Sequence, residues 1–462
     1  MKRREFMESL GIGVASGMAV LPGLGFLGCG KVPESSGPAA STASTTPAFP
    51  KIVHHGLMLG RPAKKPEGTK GIVAYELGNI FQLDRTHCLL VASMDEQGGP
   101  DLCVGNDGFI FEKLSDIQAE KAIPLNRVET NYKLKTGKGT GLLAKYPLTG
   151  AFVPLGAKLE DGRPHPGAGT GILVCTCMAF KSDRSDPIHG EGHYNSWEAL
   201  VEVMQIKWTG EKLVITDISQ PQNWLGHTPM DVPFSMFCES GASLIAPFRL
   251  EGGHHHPVRF DFDGKAWTPS KIGPHYELDQ NEKEPSIRRQ GQRYFIASRG
   301  GKGPKDRMYV SDDGLTFKFL FDWDNIQDTP TALSQGLDGS LYLATNRNKG
   351  WFRNPLYVLP MVGNGFGEPT IFHDQDGVRD DTGDKLPFID HAMGNNVVLE
   401  GKWRHLICYR VCDLKERTLY GFQERVVKKI HGDTGPIPKR ASSGMYLAEL
   451  MYDHITNKPF LG

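Results

Sequence analysis

The sequence has almost no charge imbalance. Its 52 Lys and Arg face 53 Asp and Glu, a formal net charge of −1 over 462 residues. That balance excludes the basic face that nucleic acid or an anionic membrane surface selects. Long amphipathic helical periodicities are missing, and beyond residue 30 no apolar run reaches membrane-spanning length. Paired Cys-x-x-Cys units are absent, so a zinc ribbon is excluded. Gly137–Gly141 lacks full Walker spacing, and Gly241–Ile245 lacks the second glycine of a nucleophile elbow.

What is present begins at the N-terminus. A basic opening, Lys2-Arg3-Arg4-Glu5-Phe6, precedes a Gly-rich apolar stretch from Leu10 to Leu27 and then Gly28-Cys29. Basic, apolar and small residues in that order make a signal peptide over residues 1–28. Arg3-Arg4-x-Phe6 resembles the twin-arginine export signal. Phe26-Leu27-Gly28-Cys29 resembles a lipobox, with Phe26 in place of the usual Leu, and implies a lipid on Cys29. A transmembrane helix is the competing reading of the same stretch. Residues 29–50 are rich in Pro, Ser, Thr, Ala and Gly and read as a flexible tether. The expectation is an exported, lipid-anchored, monomeric domain at residues 51–462.

Seven cysteines remain beyond Cys29, an odd number, so at least one stays unpaired. A twin-arginine substrate folds in a reducing compartment, which suits buried free thiols.

With 55 Gly and 31 Pro, the chain breaks into short β-branched and aromatic runs. Cys88–Ser93, Gly171–Ala179, Leu200–Trp208, Tyr294–Ser298, Ser340–Ala344 and His405–Tyr409 are examples. The fold class is all-β. Asp107-Gly108, Asp263-Gly264 and Asp313-Gly314 each lead to an aromatic three residues after the glycine, and related turns stand near 210, 364 and 413. Such spacing reads as a β-propeller of six blades, with five or seven also fitting. Asp107, Asp263 and Asp313 are expected to tighten turns, and the wide gap after 107 to hold an insertion around 112–200.

Ser311-Asp312-Asp313-Gly314-Leu315-Thr316-Phe317 resembles the Asp-box of the sialidase superfamily. Glu284-Pro285-Ser286-Ile287, Tyr294–Arg299 and Tyr309–Gly314 together resemble one blade of that superfamily. The resemblance implies a glycoside hydrolase acting on an anionic or complex glycan. It assigns Glu284 and Asp95 to catalysis, and Arg299 and Arg353 to an anionic sugar. Asp390-His391, where the family's nucleophilic Tyr would stand, reads as an acid/base pair, because a carboxylate beside an imidazole can orient it and tune its pKa. Departures are plain: two candidate arginines stand where the family uses three, and Phe388–Met393 lacks the nucleophilic Tyr. The bland readings are that Glu284 caps a strand or pairs with a nearby Arg, and that Asp95 sits in a solvated turn.

Histidines form a second constellation: His165, His189, His193, His227, the run His254-His255-His256, His275 and His391. Propeller loops converge on the axis, so His193, His254 and His255 are expected to contact substrate. Imidazole also suits proton abstraction from a uronate, so a polysaccharide lyase is the alternative enzyme, and a non-catalytic glycan- or protein-binding propeller the alternative class. No cofactor motif is found, and no spacing matches a zinc signature, though the histidines leave a metal open.

Overall fold

A computed structural model describes residues 49–64, 72–97, 103–127, 132–133, 140–141, 143–145, 148–180, 197–219, 224–231, 233, 235, 237–238, 243–278, 282–300, 305–324, 329–346, 355–374, 388–412 and 444–453. Among these the only helical element is a short 3-10 helix, Leu114–Ala119. None is a helix long and apolar enough to cross a membrane.

The described strands form six antiparallel sheets of four or five strands, arranged as blades around one axis, and one two-stranded pair, Tyr132–Lys133 with Thr140–Gly141. Blade 1 holds Ile72–Gln82, Cys88–Gln97, Cys103–Phe111 and Ile123–Arg127. Blade 2 holds Leu143–Lys145 with Thr149–Val153, then Thr170–Phe180, Trp197–Trp208 and Leu213–Ser219. In blade 3, Pro229–Asp231 and Phe237–Cys238 precede Ser243–Leu250, His255–Phe262 and Trp267–Ile272. Blade 4 is Lys283–Gln290, Arg293–Arg299, Lys305–Ser311 and Lys318–Asp324. Blade 5 is Ala332–Gln335, Leu341–Thr345, Leu356–Val362, Gly365–Phe366 and Thr370–His373. Blade 6 takes Phe388–Leu399, Lys402–Cys412 and Gly444–Met451, and its outer strand is Lys51–Leu59 from the other end of the chain. First strands of successive blades lie side by side, and that of blade 6 meets those of blades 5 and 1. The fold is therefore a six-bladed β-propeller closed by its N-terminal strand.

Burial follows this plan. The buried apolar side chains of the described residues fall into six clusters, one at each junction between neighbouring blades. The inner strands thus pack on both faces, which explains apolar runs such as Leu89-Leu90-Val91-Ala92 in place of strict alternation. Burying a Leu or Val side chain contributes about 1.5–3 kcal/mol, so the clusters supply most of the cohesion between blades.

Polar side chains add register to this apolar packing. The Gln205 amide accepts from Trp267 N and donates to Trp267 O, each at 3.0 Å, so blade 2 reads the backbone of blade 3 as another strand would. Gln82 does the same to Val398 across the closing junction, accepting at 2.5 Å and donating at 3.1 Å. Near the axis, buried Arg288 of blade 4 reaches across to blade 6, donating to Gly394 O at 3.0 Å and Asn395 Oδ1 at 3.1 Å. Asn395 in turn bonds Asn79 Oδ1 and donates to Ile80 O of blade 1 at 3.0 Å.

Two of the expected turn aspartates lie in turns. Asp313 Oδ1 accepts from Leu315 N at 2.8 Å, Thr316 N at 2.7 Å and Ser311 Oγ at 2.8 Å. Asp263 Oδ1 accepts from Lys265 N and Ala266 N at 2.8 Å. These, with the turns near 210 and 364, join the third and fourth strands of blades 2 to 5. Asp107 departs from the pattern. It sits inside the strand Cys103–Phe111, buried, and accepts from Tyr75 OH at 2.5 Å. Gly108 is extended there because Leu89 and Leu125 press on its face, so Asp-Gly does not turn the chain. The turn near 413 lies outside the described residues, and blade 6 makes its last connection through the chain termini.

The stretch around 112–200 is not an insertion throughout. Residues 112–122 link the last two strands of blade 1, and from Leu143 the chain is already supplying strands of blade 2. The loop 181–196, residues 1–48 with Cys29, and Arg353 and His193 lie outside the described residues.

Candidate functional site

Strand direction alternates within a blade, so every first strand begins, and every second strand ends, at one end of the ring, the top. There the inner strands share a device. In blades 1, 4 and 6 the pairing between first and second strands slips near its start, at Tyr75/Leu77, Lys283/Ser286 and Asp390/Met393. The bulges contain Glu76, Glu284 and His391. A bulge re-aims a side chain out of the ladder. Glu284 and His391 also have left-handed backbone, φ 50° and 51°. Among the described residues two other non-glycine residues do so, and both stand in tight turns, Leu225 beside Gly226 and Glu400 beside Gly401. Left-handed backbone costs a branched or bulky L-residue roughly 1–2 kcal/mol, so its use inside a strand marks a position held by its surroundings.

Blades 6 and 1 meet in a buried ionic cluster. Arg410, at the end of the second strand of blade 6, grips Asp390 with two bonds, Nε to Oδ1 at 2.7 Å and Nη2 to Oδ2 at 2.9 Å. Its Nη1 donates to Glu76 Oε2 at 3.1 Å and lies 3.8 Å from Asp95 Oδ2. Glu76 and Asp390 are fully buried, and Asp95 and Arg410 nearly so. His391 places Nδ1 2.8 Å from Asp390 Oδ1. Its side chain keeps 13% exposure and, with Ala392 and Met393, faces Pro330, Thr331 and Ala332 of blade 5 across a small cleft.

Blade 4 repeats the arrangement with other residues. Arg299, again at the end of a second strand and 2% exposed, donates from Nη1 to Glu284 Oε2 at 2.6 Å, while Glu284 keeps 29% side-chain exposure. The bland expectation that Glu284 pairs with a nearby Arg is therefore what the geometry shows. Asp95, in contrast, is no solvated turn residue, because Arg410 draws it into the cluster.

The histidines separate into groups. His254, His256 and His275 gather at the top of blade 3, with ring centroids of His254 and His275 4.6 Å apart. His227 joins at 6.2 Å from His256. Beneath them Glu277 takes His255 as a close partner at both N, 2.7 Å, and ring Nδ1, and lies 3.4 Å from His254 Nδ1. His255 is 1% exposed, which removes it from substrate contact. Burial, with repulsion from His275 and His227, holds His256 below the usual imidazole range despite its bond to Gly273 O. This group stands in the outer part of blade 3, apart from the cleft at His391. His165 lies at the opposite end, in the hairpin between the first two strands of blade 2, where it accepts from Gly167 N at 3.1 Å. The expected single pocket of histidines is thus divided. Among the described residues no group of three or more His, Cys, Asp or Glu is arranged to hold a metal ion.

Asp95, Asp390 and His391 come together, and Glu284 and Arg299 come together. The two sets are separated by the first strand of blade 5, and neither Glu284 nor Arg299 lines the cleft. Sequence reasoning passed over Arg410 and Glu76. A signal for Arg410 was present: it ends an apolar strand just as Arg299 does, after Leu406-Ile407-Cys408-Tyr409. Glu76 carried none, since a lone carboxylate between Tyr75 and Leu77 reads as a strand's outward residue.

No protein-family model matches the sequence, and no curated protein matches it. Solved structures with a similar course of chain include the Trypanosoma rangeli sialidase in complex with 2,3-difluorosialic acid. It is 10% identical over 86% of this chain, with a TM-score of 0.49. This chain spans 59% of that protein's length. The NanB sialidase of Streptococcus pneumoniae is 11% identical, covering 87% of this chain and 71% of its own, at a TM-score of 0.49. The α-L-arabinofuranosidase PaAbf62A of Podospora anserina is 11% identical over 87% of this chain and 97% of its own, at 0.39. Values this low assign no chemistry to this chain, and the six-bladed ring rests on its own strand order.

Proposed function

We propose that this protein is a carbohydrate-active enzyme working at the top of the propeller, with His391 as its proton-transferring group. The observation that carries the proposal is the Asp390–His391 contact of 2.8 Å beside a cleft. A carboxylate 2.8 Å from Nδ1 stabilises positive charge on the ring when it carries a proton to give away. The left-handed backbone at His391 supports the same reading, because strain of this kind gathers at functional positions.

The preferred reaction is hydrolysis of a glycosidic bond in an anionic or complex glycan. His391, when protonated, gives its proton to the departing oxygen as water adds to the anomeric carbon and releases its own proton to solvent, while Glu284, outside the cleft, stays the partner of Arg299. Arg353 remains the proposed partner of an acidic sugar, whereas Arg299, 2% exposed, is held by Glu284. A lyase acting on a uronate is the second reading, and one observation favours it. Asp95 and Asp390 both face Arg410, so an imidazole rather than a carboxylate pair stands at the cleft. The N-terminal motifs support an exported enzyme held by a lipid at Cys29, where polymers are the available substrates.

The test is incubation with a panel of acidic glycans, with products read by mass and by near-ultraviolet absorbance. Saturated products lost in His391→Ala support hydrolysis, and absorbing products support the lyase. A panel left intact by the folded wild-type protein sinks the enzyme reading in favour of a binding propeller.

A further inference from the structure

We propose that His54, His373 and Tyr409 form an acid-sensitive fastener for the strand that closes the ring. Protons on both imidazoles loosen Lys51–Leu59 from blades 5 and 6 while the other blades stay folded.

The closing strand is lightly held. Of its residues only Met58 and Leu59 are buried, and its pairing with Gly444–Met451 slips at His54/Gly56 and again at Leu57/Leu59. A lateral contact fastens it instead. Tyr409, buried in the second strand of blade 6, places its hydroxyl 2.7 Å from His373 Nδ1, at the end of the last strand of blade 5. The same hydroxyl lies 3.3 Å from His54 Nδ1 on the closing strand. The centroids of the two imidazoles are 5.3 Å apart, and the Tyr446 ring packs 6.2 Å from that of His373.

A hydroxyl carries one proton. It donates to one Nδ1 and accepts from the other, so the bridge needs one ring whose Nδ1 is bare. With both rings protonated, both Nδ1 atoms are donors, the hydroxyl proton has no acceptor between them, and two positive charges face each other. The surroundings favour neutral rings. Burial and the charge of His54 hold His373 down to about 4, although Asp374 pulls the other way. Burial and His55 hold His54 below the usual imidazole range, against a hydrogen bond with the Phe372 backbone. His55 itself acts in the opposite sense. When protonated it gains Glu449 at 3.3 Å, a carboxylate that Arg404 already holds at 2.8 Å. A group depressed in the folded state adds stability that is complete above its ordinary value, 6.5 for imidazole, and is lost as pH falls through the folded one. The fastener is thus closed at neutral pH and undone between about 6.5 and 4.

Hydrogen–deuterium exchange of the whole protein, with protection corrected for the intrinsic rate at each pH, tests the proposal. From about pH 7 to about pH 5 the protection of Lys51–Leu59 falls about tenfold or more, while that of Ser243–Leu250 in blade 3 changes less than about twofold. His373→Gln and His54→Gln each keep a side chain that bonds the hydroxyl but takes up no proton, so in either variant the fall shrinks to about threefold or less. His54 is exposed, so His54→Gln decides the matter if His373→Gln does not fold. A wild-type fall under about threefold overturns the proposal, and so does an equal loss across all six blades, which is general acid unfolding. A folded glutamine variant that loses as much protection as the wild type overturns it too.

Discussion

Glu284 and His391 adopt the same left-handed backbone, φ 50° and 51°, at the first-strand bulge of blades 4 and 6, and each stands over an arginine that ends the second strand of its own blade. Arg299 bonds Glu284 directly, whereas Arg410 reaches His391 through Asp390. One backbone device thus presents a carboxylate in one blade and an imidazole in another.

Asparagine tolerates left-handed backbone better than most residues. His391→Asn is expected to fold as the wild type does, with a melting temperature within about 2–4 °C, corresponding to about 1 kcal/mol. Turnover of any glycan the wild type degrades should vanish. Melting curves and product analysis on one preparation check this, and a variant with full activity would remove His391 from the chemistry.

The Glu284–Arg299 contact is expected to show coupling. In a double-mutant cycle of Glu284→Gln and Arg299→Met, the interaction energy should be about 1–3 kcal/mol in denaturant unfolding. Partial exposure of Glu284 keeps the value below that of a fully buried pair. Additive single effects would show that the pair is incidental.

Asp84 predicts a pH dependence. Burial pushes its carboxyl up, but Thr86 N and His87 N, the Trp208 indole and the His87 ring outweigh this and hold it at about 2 against an ordinary 3.8. A carboxyl depressed in the folded state adds stability that is complete above the unfolded value and disappears as pH falls through the folded one. Stability should therefore decline between about pH 4 and 2, and Asp84→Asn should flatten that part of the curve. At pH 7 the variant should lose about 1 kcal/mol, chiefly through the 2.6 Å bond from Trp208 Nε1 that ties blade 1 to blade 2. Urea unfolding across pH 2–7 measures both.

Arg288→Met should lower stability by about 2–4 kcal/mol, because Gly394 O and Asn395 Oδ1 lose their donor in a buried setting. The denaturant midpoint reads it. A loss under 0.5 kcal/mol would mean that bridging across the axis is not a stabilising contact.

Blade architecture was legible because glycine turns near 210, 263, 313 and 364 follow one another at a nearly even step, and the carboxylate of an Asp-Gly turn satisfies local backbone donors with no help from afar, as Asp313 does. Asp107 carried the same letters and misled, since the turn depends on what presses on the glycine, and Leu89 and Leu125 hold Gly108 extended. Candidate residues were legible where chemistry coincided with strand ends: Glu284, Arg299, Asp390 and His391 all lie at the top. Their grouping was not legible. Which blade faces which is set by ring closure, so the meeting of Glu76 and Asp95 with Arg410 is a contact between residues more than 300 positions apart. The histidine run misled for the opposite reason. Adjacent residues on a strand point to opposite sides, so His255 is buried on Glu277 while His254 and His256 look outward.

The strand Lys51–Leu59 is made long before the strand that it pairs with. Its partner, Gly444–Met451, follows some 390 residues later, a delay on the order of 20–80 s at ordinary rates of synthesis. Five blades can assemble from neighbouring segments in that interval, while the sixth waits with one apolar strand unmatched and open to wrong partners. Timing, rather than any one contact, is then the hazard of this ring, and the Glu76–Arg410 bond belongs to the junction that forms last.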